Sequence, residues 1–206
     1  MLSLENILET VVKSPIIHYQ WLYTISYLEN SGAKKIMKFQ PFSNFDLEIL
    51  KHTAEEARHA YFFRKQIEKI GHDPDRKVKL LGGTKAKNFL HRLDVKIMKS
   101  LKDQMELKKE DLYYFSYLLT TYAIELRADS LFGLYEKTLK DNNIPISLIS
   151  VIKEEENHLK DIEKRIDKEP RLLPFKKIAC KFEETLFNSF ISQVEKDIEH
   201  NCYFLN

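Results

Sequence analysis

The sequence predicts an all-α protein: a four-helix bundle with a long crossover that contains a helix, plus a short N-terminal helix and an additional C-terminal helix. Only five Gly and six Pro occur among 206 residues, and β-branched residues are not concentrated in alternating runs. Apolar residues recur instead at helical spacing. With 43% hydrophobic content, a single domain is expected over residues 1–206, with the bundle at about 15–166 and the accessory helix at about 174–199.

Local start and stop signals divide the chain into seven predicted helices. Ser14 is a good N-cap and Pro15 follows it at the first helical position, which marks the start of the first long helix. Gly71, with Pro74 just beyond it, marks the end of the second. The third predicted helix is capped by Ser43 or Asn44 and ends at Gly71. The other predicted helices span residues 4–12, 15 to about 39, about 85–102, about 110–139, about 146–166 and about 175–198.

The connection between about residues 72 and 109 is much longer than the turns on either side of it. Short turns make the first two long helices antiparallel neighbours, and the third and fourth likewise. The long connection allows the third long helix to start at the far end of the bundle.

Two Glu-x-x-His pairs carry the functional information: Glu56-Ala57-Arg58-His59 and Glu155-Glu156-Asn157-His158. On a helix, residues three apart share a face, so each pair directs a carboxylate and an imidazole at the same point. Glu29 and Glu125, on the inward stripes of the preceding helices, would supply bridging carboxylates. Counted from the connecting turns, the mismatch within each helix pair is only ~5 to 6 Å, about one turn. All four ligand layers can therefore meet in the middle of the bundle.

This set of buried ionisable groups predicts a site for two metal ions. Four carboxylates and two imidazoles buried without counter-charge would be strongly destabilised, and two divalent cations would balance the carboxylates. The set suits iron or manganese better than zinc, which prefers His and Cys, or calcium, which avoids nitrogen. We therefore expect two Fe ions, with Mn/Fe or Mn as alternatives. A single Glu-x-x-His pair is more often solvated, whereas two pairs in phase with two inward glutamates favour the metal site.

The segment Glu55-Glu56-Ala57-Arg58-His59 resembles the Asp/Glu-Glu-x-Arg-His element of the di-iron carboxylate proteins, and Glu154-Glu155-Glu156-Asn157-His158 resembles its second copy. The likeness to this ferritin-like superfamily covers about residues 15–166. It is closer to bacterial di-iron oxygenases and small-subunit reductases than to iron-storage ferritins. The resemblance implies that Glu55 and Glu154 accept hydrogen bonds from the ligand histidines of the opposite helix, and that Arg58 holds this arrangement in place. The second copy departs from the pattern by carrying asparagine where the first has arginine.

Three further residues on the same stripes have open roles. His52 lies four residues before Glu56, and Asp129 lies four after Glu125. Each is an extra metal ligand, a hydrogen-bond partner of a ligand, or a hydrogen-bonded residue at the polar centre of the bundle. Tyr122, one turn from Glu125, is the candidate catalytic residue: it either donates a hydrogen bond to oxygen held at the site or packs in the core.

The leading functional hypothesis is an O₂-dependent non-haem di-iron (or Mn/Fe) oxidase or oxygenase acting on an organic substrate, either a small molecule or a carrier-bound one. The chain has no iron–sulfur cysteine motif and no Gly-rich dinucleotide motif, so electrons would come from a separate electron-donor protein. Glu56 and Glu125 are expected to shift or bridge. The expected metal ligands are Glu29, Glu56, His59, Glu125, Glu155 and His158.

Two other classes of function stay open. The first is a ferritin-type ferroxidase or iron-handling protein, although the long basic connection and the added C-terminal helix would encumber a bundle that packs into cages. The second is a helical scaffold whose metal is purely structural.

The segment from Arg76 to Lys109 is strongly basic, with eleven Lys or Arg against three acids, in a chain whose net charge is +2. It either docks a polyanion or forms the outer face of an amphipathic covering helix. An acidic carrier protein is one candidate polyanion. RNA is another, because some ferritin-like enzymes hydroxylate modified tRNA.

The remaining features concern cellular context. Cys180 and Cys202 form no Cys-x-x-Cys motif, and the N-terminus has no signal-peptide pattern. The longest apolar stretch, residues 112–124, is shorter than the roughly 20 residues that cross a bilayer. We expect a soluble protein in the reducing cytoplasm with no membrane span, and a homodimer is one open oligomeric state.

Overall fold

The computed structural model describes residues 2–39 and 47–203, and within these ranges it is all-helical and contains no strand. The all-α fold class is therefore confirmed. A short 3-10 helix, Pro170–Leu172, precedes the last α-helix. The seven α-helices are α1 (Leu4–Lys13), α2 (Pro15–Phe39), α3 (Leu47–Lys69), α4 (Gly83–Gln104), α5 (Lys109–Asp141), α6 (Ile149–Asp167) and α7 (Leu173–Tyr203).

Helices α2, α3, α6 and α5 contact one another in that order, and α2 also contacts α5. The α2 and α3 pair is antiparallel, because Ser26 in the middle of α2 donates to the Ala60 carbonyl of α3 at 2.7 Å, whereas Tyr19 near the start of α2 donates to Asp73 beyond the end of α3. Buried apolar side chains from all seven helices form one continuous core. The four helices thus enclose a common interior.

Helix α4 lies in the long connection and returns the chain across the outside of this group. It packs on α5 and α7, and Ser116 of α5 donates to Asp94 of α4 at 2.7 Å. Its start is fixed by Gly82, which has φ 77° and donates its backbone N–H to Asp197 of α7 at 2.8 Å. A Cβ on Gly82 would lie 2.4 Å from the Phe190 ring. Only glycine fits this corner, because it needs both the left-handed backbone and the close approach.

Most predicted helix bounds agree with the structure to within a few residues, and the differences have local causes. Helix α6 starts at Ile149 rather than at about 146, because the buried carboxylate of Glu136 accepts the Leu148 backbone N–H at 2.5 Å and holds the preceding residues in a turn. Helix α7 starts at Leu173, since Pro174 is tolerated in the first turn of a helix. The predicted cap at Ser43 or Asn44 lies outside the described residues.

The basic segment has the outer face of an amphipathic covering helix. Its apolar residues Phe89, Leu93 and Ile97 are buried, whereas Lys96 and Lys99 are exposed. This matches one of the two predicted interpretations and leaves the polyanion as a prediction. Within the described ranges, no helix combines the length and the apolar character needed to cross a membrane.

A buried polar pair lies at the end of the α2 and α5 interface. His18 Nε2 is 2.6 Å from the Tyr135 hydroxyl, and both side chains are buried. Burial lowers the pKa of His18 to about 4. His18 is therefore neutral in the folded protein at pH 7.

This pair predicts a measurable loss of stability in acid. The pKa of His18 is lower in the folded chain than in the unfolded one, so the unfolded state binds more protons below about pH 6.5 and stability falls as the pH drops toward 4. His18→Gln should remove about 1–2 kcal/mol of the destabilisation between pH 7 and pH 5, measured by urea unfolding. The control is His91→Gln, on the exposed face of α4. Equal pH dependence in wild type and His18→Gln would contradict the assignment.

Candidate metal centre

The six predicted ligands lie near the middle of α2, α3, α5 and α6, on the faces that these helices turn toward their shared interior. Helical spacing places each Glu and the His three residues later on one face, and antiparallel packing brings the four faces to one level. Glu29 is half-buried and the other five are buried. The structure thus brings together all six: Glu29, Glu56, His59, Glu125, Glu155 and His158.

One group of donor atoms comes from Glu29, Glu56, His59 and Glu155, and these atoms all lie within 4.8 Å of one another. His59 Nδ1 lies 2.9 Å from Glu155 Oε1. Both atoms are buried, yet neither has a hydrogen-bond partner. Buried polar atoms are nearly always satisfied, so two that face each other unsatisfied are what a cation-binding site contains before its cation is added.

A second group comes from His52, Glu56, Glu125 and His158, again with donor atoms within 4.8 Å of one another. His52 Nε2 lies 3.1 Å from Glu125 Oε1 and 3.3 Å from Glu56 Oε1. His158 Nδ1 lies 3.5 Å from Glu56 Oε1. Among the roles left open for His52, the structure places it beside the donor atoms rather than in an outer layer.

Glu56 is the carboxylate common to both groups. Glu29 belongs to one group and Glu125 to the other. The shared position therefore falls on Glu56, one of the two residues expected to shift or bridge, and not on Glu29 or Glu125. A Cβ on Gly32 of α2 would lie 2.9 Å from Glu56 Oε2, so α2 approaches the shared carboxylate at a residue without a side chain.

An outer layer of hydrogen bonds orients His59. Its Nε2 lies 2.7 Å from Glu154 Oε2, and Arg58 pairs with the same oxygen. Burial would raise the pKa of Glu154, but the hydrogen bonds from His59 and Arg58 lower it. The carboxylate is thus ionised and can only accept, so Nε2 donates and Nδ1 is the nitrogen directed at the cluster, where it can bind a metal once its own proton has left.

His158 makes the corresponding contact with Glu55, but a different cation lies beside this carboxylate. His158 Nε2 lies 2.9 Å from Glu55 Oε2. Asn157, at the position equivalent to Arg58, is exposed. Lys51 Nζ lies 3.9 Å from Glu55 Oε1 and supplies the nearby positive charge instead. Both outer contacts inferred from the resemblance are therefore present, but the cation that accompanies each one differs.

The buried groups perturb one another strongly. Burial, reinforced by neighbouring carboxylates, raises the pKa of Glu29 and of Glu125 well above the usual range. Burial would also raise the pKa of Glu155, but His158 and His59 lower it. Burial would lower the pKa of His59, yet Glu155 and other nearby carboxylates raise it to about 9. Without a metal ion, the raised pKa values of Glu29, Glu125 and His59 favour protons on groups that could otherwise bind the ion.

Two divalent cations fit these donors. The two groups offer four carboxylates and three imidazoles, with Glu56 available to both. Each group mixes oxygen and nitrogen, which disfavours calcium, and contains no thiolate, the ligand typical of structural zinc. Two divalent ions would also bring positive charge to the cluster. This charge would relieve the repulsion that, together with burial, raises the pKa of Glu29 and of Glu125.

Two predicted residues lie outside these groups. Asp129 is half-buried and contributes to neither group. Tyr122 is also half-buried, and Lys176 Nζ of α7 lies 4.3 Å from its ring centroid. This contact leaves both predicted roles of Tyr122 open.

An apolar cavity of about 90 Å³ borders the cluster on the side of α2 and α5, with Glu29 and Glu56 in its wall. A smaller space of about 30 Å³ adjoins it, and both are lined by Gly32. The sequence analysis missed this cavity. The sequence signal for it is a small residue three positions after each glutamate that belongs to no Glu-x-x-His pair. These residues are Gly32 after Glu29 and Ala128 after Glu125.

Comparisons with known proteins do not assign the chain to a family: no protein-family model matches it, and neither do any curated proteins or solved structures. The geometry of the cluster and the cavity is therefore the basis for the functional proposal.

Metal binding should release protons and strengthen as the pH rises. In the metal-free protein the raised pKa values of Glu29 and Glu125 favour their protonated forms, and His59, with a pKa of about 9, is protonated near neutral pH. A cation must displace these protons to reach the donor atoms. Titration calorimetry with Mn²⁺ at pH 6, 7 and 8, in two buffers of different ionisation enthalpy, should show at least one proton released per chain and an affinity that rises with pH. A pH-independent affinity without proton release would contradict this description.

The two cations should differ in their dependence on His52, because it contributes to one group only. In His52→Ala, one ion should bind at least about tenfold more weakly while the other keeps its affinity, since losing even an outer partner of a ligand commonly costs this much. Metal analysis after dialysis would then fall from about two Mn per chain to about one. The control is His72→Ala, whose ring stacks on Tyr19 far from the cluster. Loss of both ions, or of neither, would contradict the two-group arrangement.

Proposed function

We propose that the protein is a ferritin-like, O₂-dependent non-haem dimetal oxidase or oxygenase, with two Fe or an Mn/Fe pair, that acts on an organic substrate. The single observation that supports this best is the buried cluster in which Glu56 joins two groups of four donors. An apolar cavity adjoins the same cluster. Two metal positions and an adjoining apolar space are the parts that oxidation of an organic group by O₂ requires.

When bound, two such metal ions supply the electrons and open positions for the reduction of O₂. The residues of the chain have other tasks. Glu154 and Glu55 hold the Nε2 protons of the ligand histidines, which keeps each Nδ1 available. Glu56, the carboxylate common to both groups of donors, would help to hold both ions.

The walls of the cavity favour an organic substrate over iron storage. An iron-handling site needs a polar route by which ions reach it, whereas this cavity is lined mainly by side chains such as Trp21, Ile25 and Phe132. Aromatic and aliphatic walls offer an iron ion no ligands. They do exclude water from an organic group placed beside the cluster.

Electrons would come from a separate protein. Cys180, the one cysteine whose side chain lies in the described part of the chain, is half-buried on α7. No second cysteine side chain lies near Cys180 in the described part of the chain, so these residues do not supply the thiolates that hold an iron–sulfur cluster. An external electron donor is therefore part of the proposal.

The test combines metal content with reactivity toward O₂. Protein reloaded anaerobically with Fe²⁺ should hold about two ions per chain and change its absorption spectrum when O₂ is added. Glu56→Gln, which alters the shared carboxylate, should lower the rate of the spectral change at least about tenfold and reduce the bound iron. Glu68→Gln, an exposed position on the same helix, is the matched control.

Two outcomes would overturn the proposal in different ways. A protein that forms large shells and accumulates iron mineral would be an iron-handling protein. Stoichiometric metal that never reacts with O₂, even after reduction, would indicate a structural role.

A further inference from the structure

The four glutamates of the cluster are each followed, three residues later, by a residue on the same helical face. On α3 and α6 that residue is a histidine, which fills the space beside the cluster. On α2 and α5 it is small, and the space stays open. The pairs are Glu56 and His59, Glu155 and His158, Glu29 and Gly32, and Glu125 and Ala128.

The open space is the apolar cavity of about 90 Å³. Its floor comes from α2 and α5, and its cover comes from α4 and α7, which carry none of the donor residues. The adjoining space of about 30 Å³ shares Gly32, Glu56, Leu90 and Ile124 with it. Together the two spaces approach the roughly 150 Å³ of an apolar cavity known to bind benzene.

The charges around the cavity exclude a charged occupant. Among the described residues, the larger space has one charged side chain in its wall besides Glu29 and Glu56, and this is Arg127. The smaller space adds His52 and Glu125 of the cluster and Lys35, whose Nζ pairs with Asp94 Oδ1 at 2.5 Å. Arg127 is paired as well. Its Nε and Nη2 donate to the two carboxylate oxygens of buried Glu183 at 3.0 and 2.9 Å, and its guanidinium stacks on Phe187. When Glu29 and Glu56 are occupied by metal, an acid or an amine entering the cavity would find no unpaired side chain of opposite charge in its wall, so each would lose its hydration without compensation.

We propose that this cavity binds the uncharged hydrocarbon part of the substrate, a group about the size of one benzene ring, and presents it to the Glu29 and Glu56 side of the cluster. Calling the bound molecule a substrate rests on the proposed function, but its binding in the cavity does not require a reaction. Any charged or bulky remainder of the substrate would lie outside the cover formed by α4 and α7.

Trp21 provides a direct readout. It is the only tryptophan in the chain, its side chain is fully buried, and it lines the cavity. Its indole Nε1 has no hydrogen-bond partner. Occupation of the cavity therefore changes the surroundings of a single fluorophore, whether or not any chemistry follows.

The experiment compares toluene with benzoate and benzylammonium, which have similar size but carry opposite charges, on the metal-loaded protein. Toluene should change Trp21 fluorescence saturably, and both ions should bind at least tenfold more weakly. The absence of a saturable response to toluene, or equal affinity for either ion, would overturn the inference.

Variants separate cavity binding from general effects on the fold. Ala128→Phe should fill the cavity and weaken toluene binding at least tenfold. Leu131→Ala should enlarge it and admit naphthalene, which wild type should bind at least tenfold more weakly. Leu139→Ala is the matched control, because Leu139 is buried on the same helix but does not line the cavity. Naphthalene binding by Leu139→Ala as tight as that by Leu131→Ala would overturn the assignment to this cavity.

Metal content and O₂ reactivity, measured on the same samples, distinguish the two proposals. Two bound ions that react with O₂ in a protein that ignores toluene would overturn this inference and leave the proposed function in place. Selective toluene binding by a protein whose metal never reacts with O₂ would support the cavity as a hydrocarbon site and overturn the oxygenase function.

Discussion

The constraint on which the structure depends is the repulsion among carboxylates from four helices that meet in one interior. Glu29, Glu56, Glu125 and Glu155 all place an oxygen in the cluster, and burial keeps water from screening them. Three histidines lie among these carboxylates, and burial with the neighbouring charges raises the pKa of Glu29 and of Glu125, which favours their neutral forms. The remaining destabilisation can be relieved by cations. The four helices therefore enclose negative charge that the side chains of the protein do not fully compensate. Apolar packing alone would have favoured leucine at these positions.

Much of the fold was predictable because the signals are local. Ser14 and Pro15 mark the start of α2, and the roughly 3.6-residue periodicity of apolar side chains indicates which face of each helix is buried. The start of α6 was not predictable to the residue. It depends on Glu136, whose carboxylate accepts the Leu148 backbone N–H across a turn that has no strong sequence signature.

The candidate site divides in the same way. The Glu-x-x-His spacing specifies which side chains converge, and the structure brings all six residues together. Spacing cannot say which carboxylate occupies the centre, because that depends on how closely two helices approach. Glu56 lies where α2 brings Gly32, a residue without a side chain, close to its carboxylate. The role of His52 was undecided for a related reason: a stripe position four residues from a ligand points toward the cluster, but only the convergence of the helices on one interior places it beside Glu125 of α5.

The cover of the cavity comes from helices that contribute no donor to the cluster. Phe89 and Leu90 belong to α4, and Phe187 and Phe190 belong to α7. Substitutions on these two helices can reshape the cavity while every donor residue stays unchanged. The donor residues and the cover of the cavity can therefore change independently of each other, because they lie on different helices.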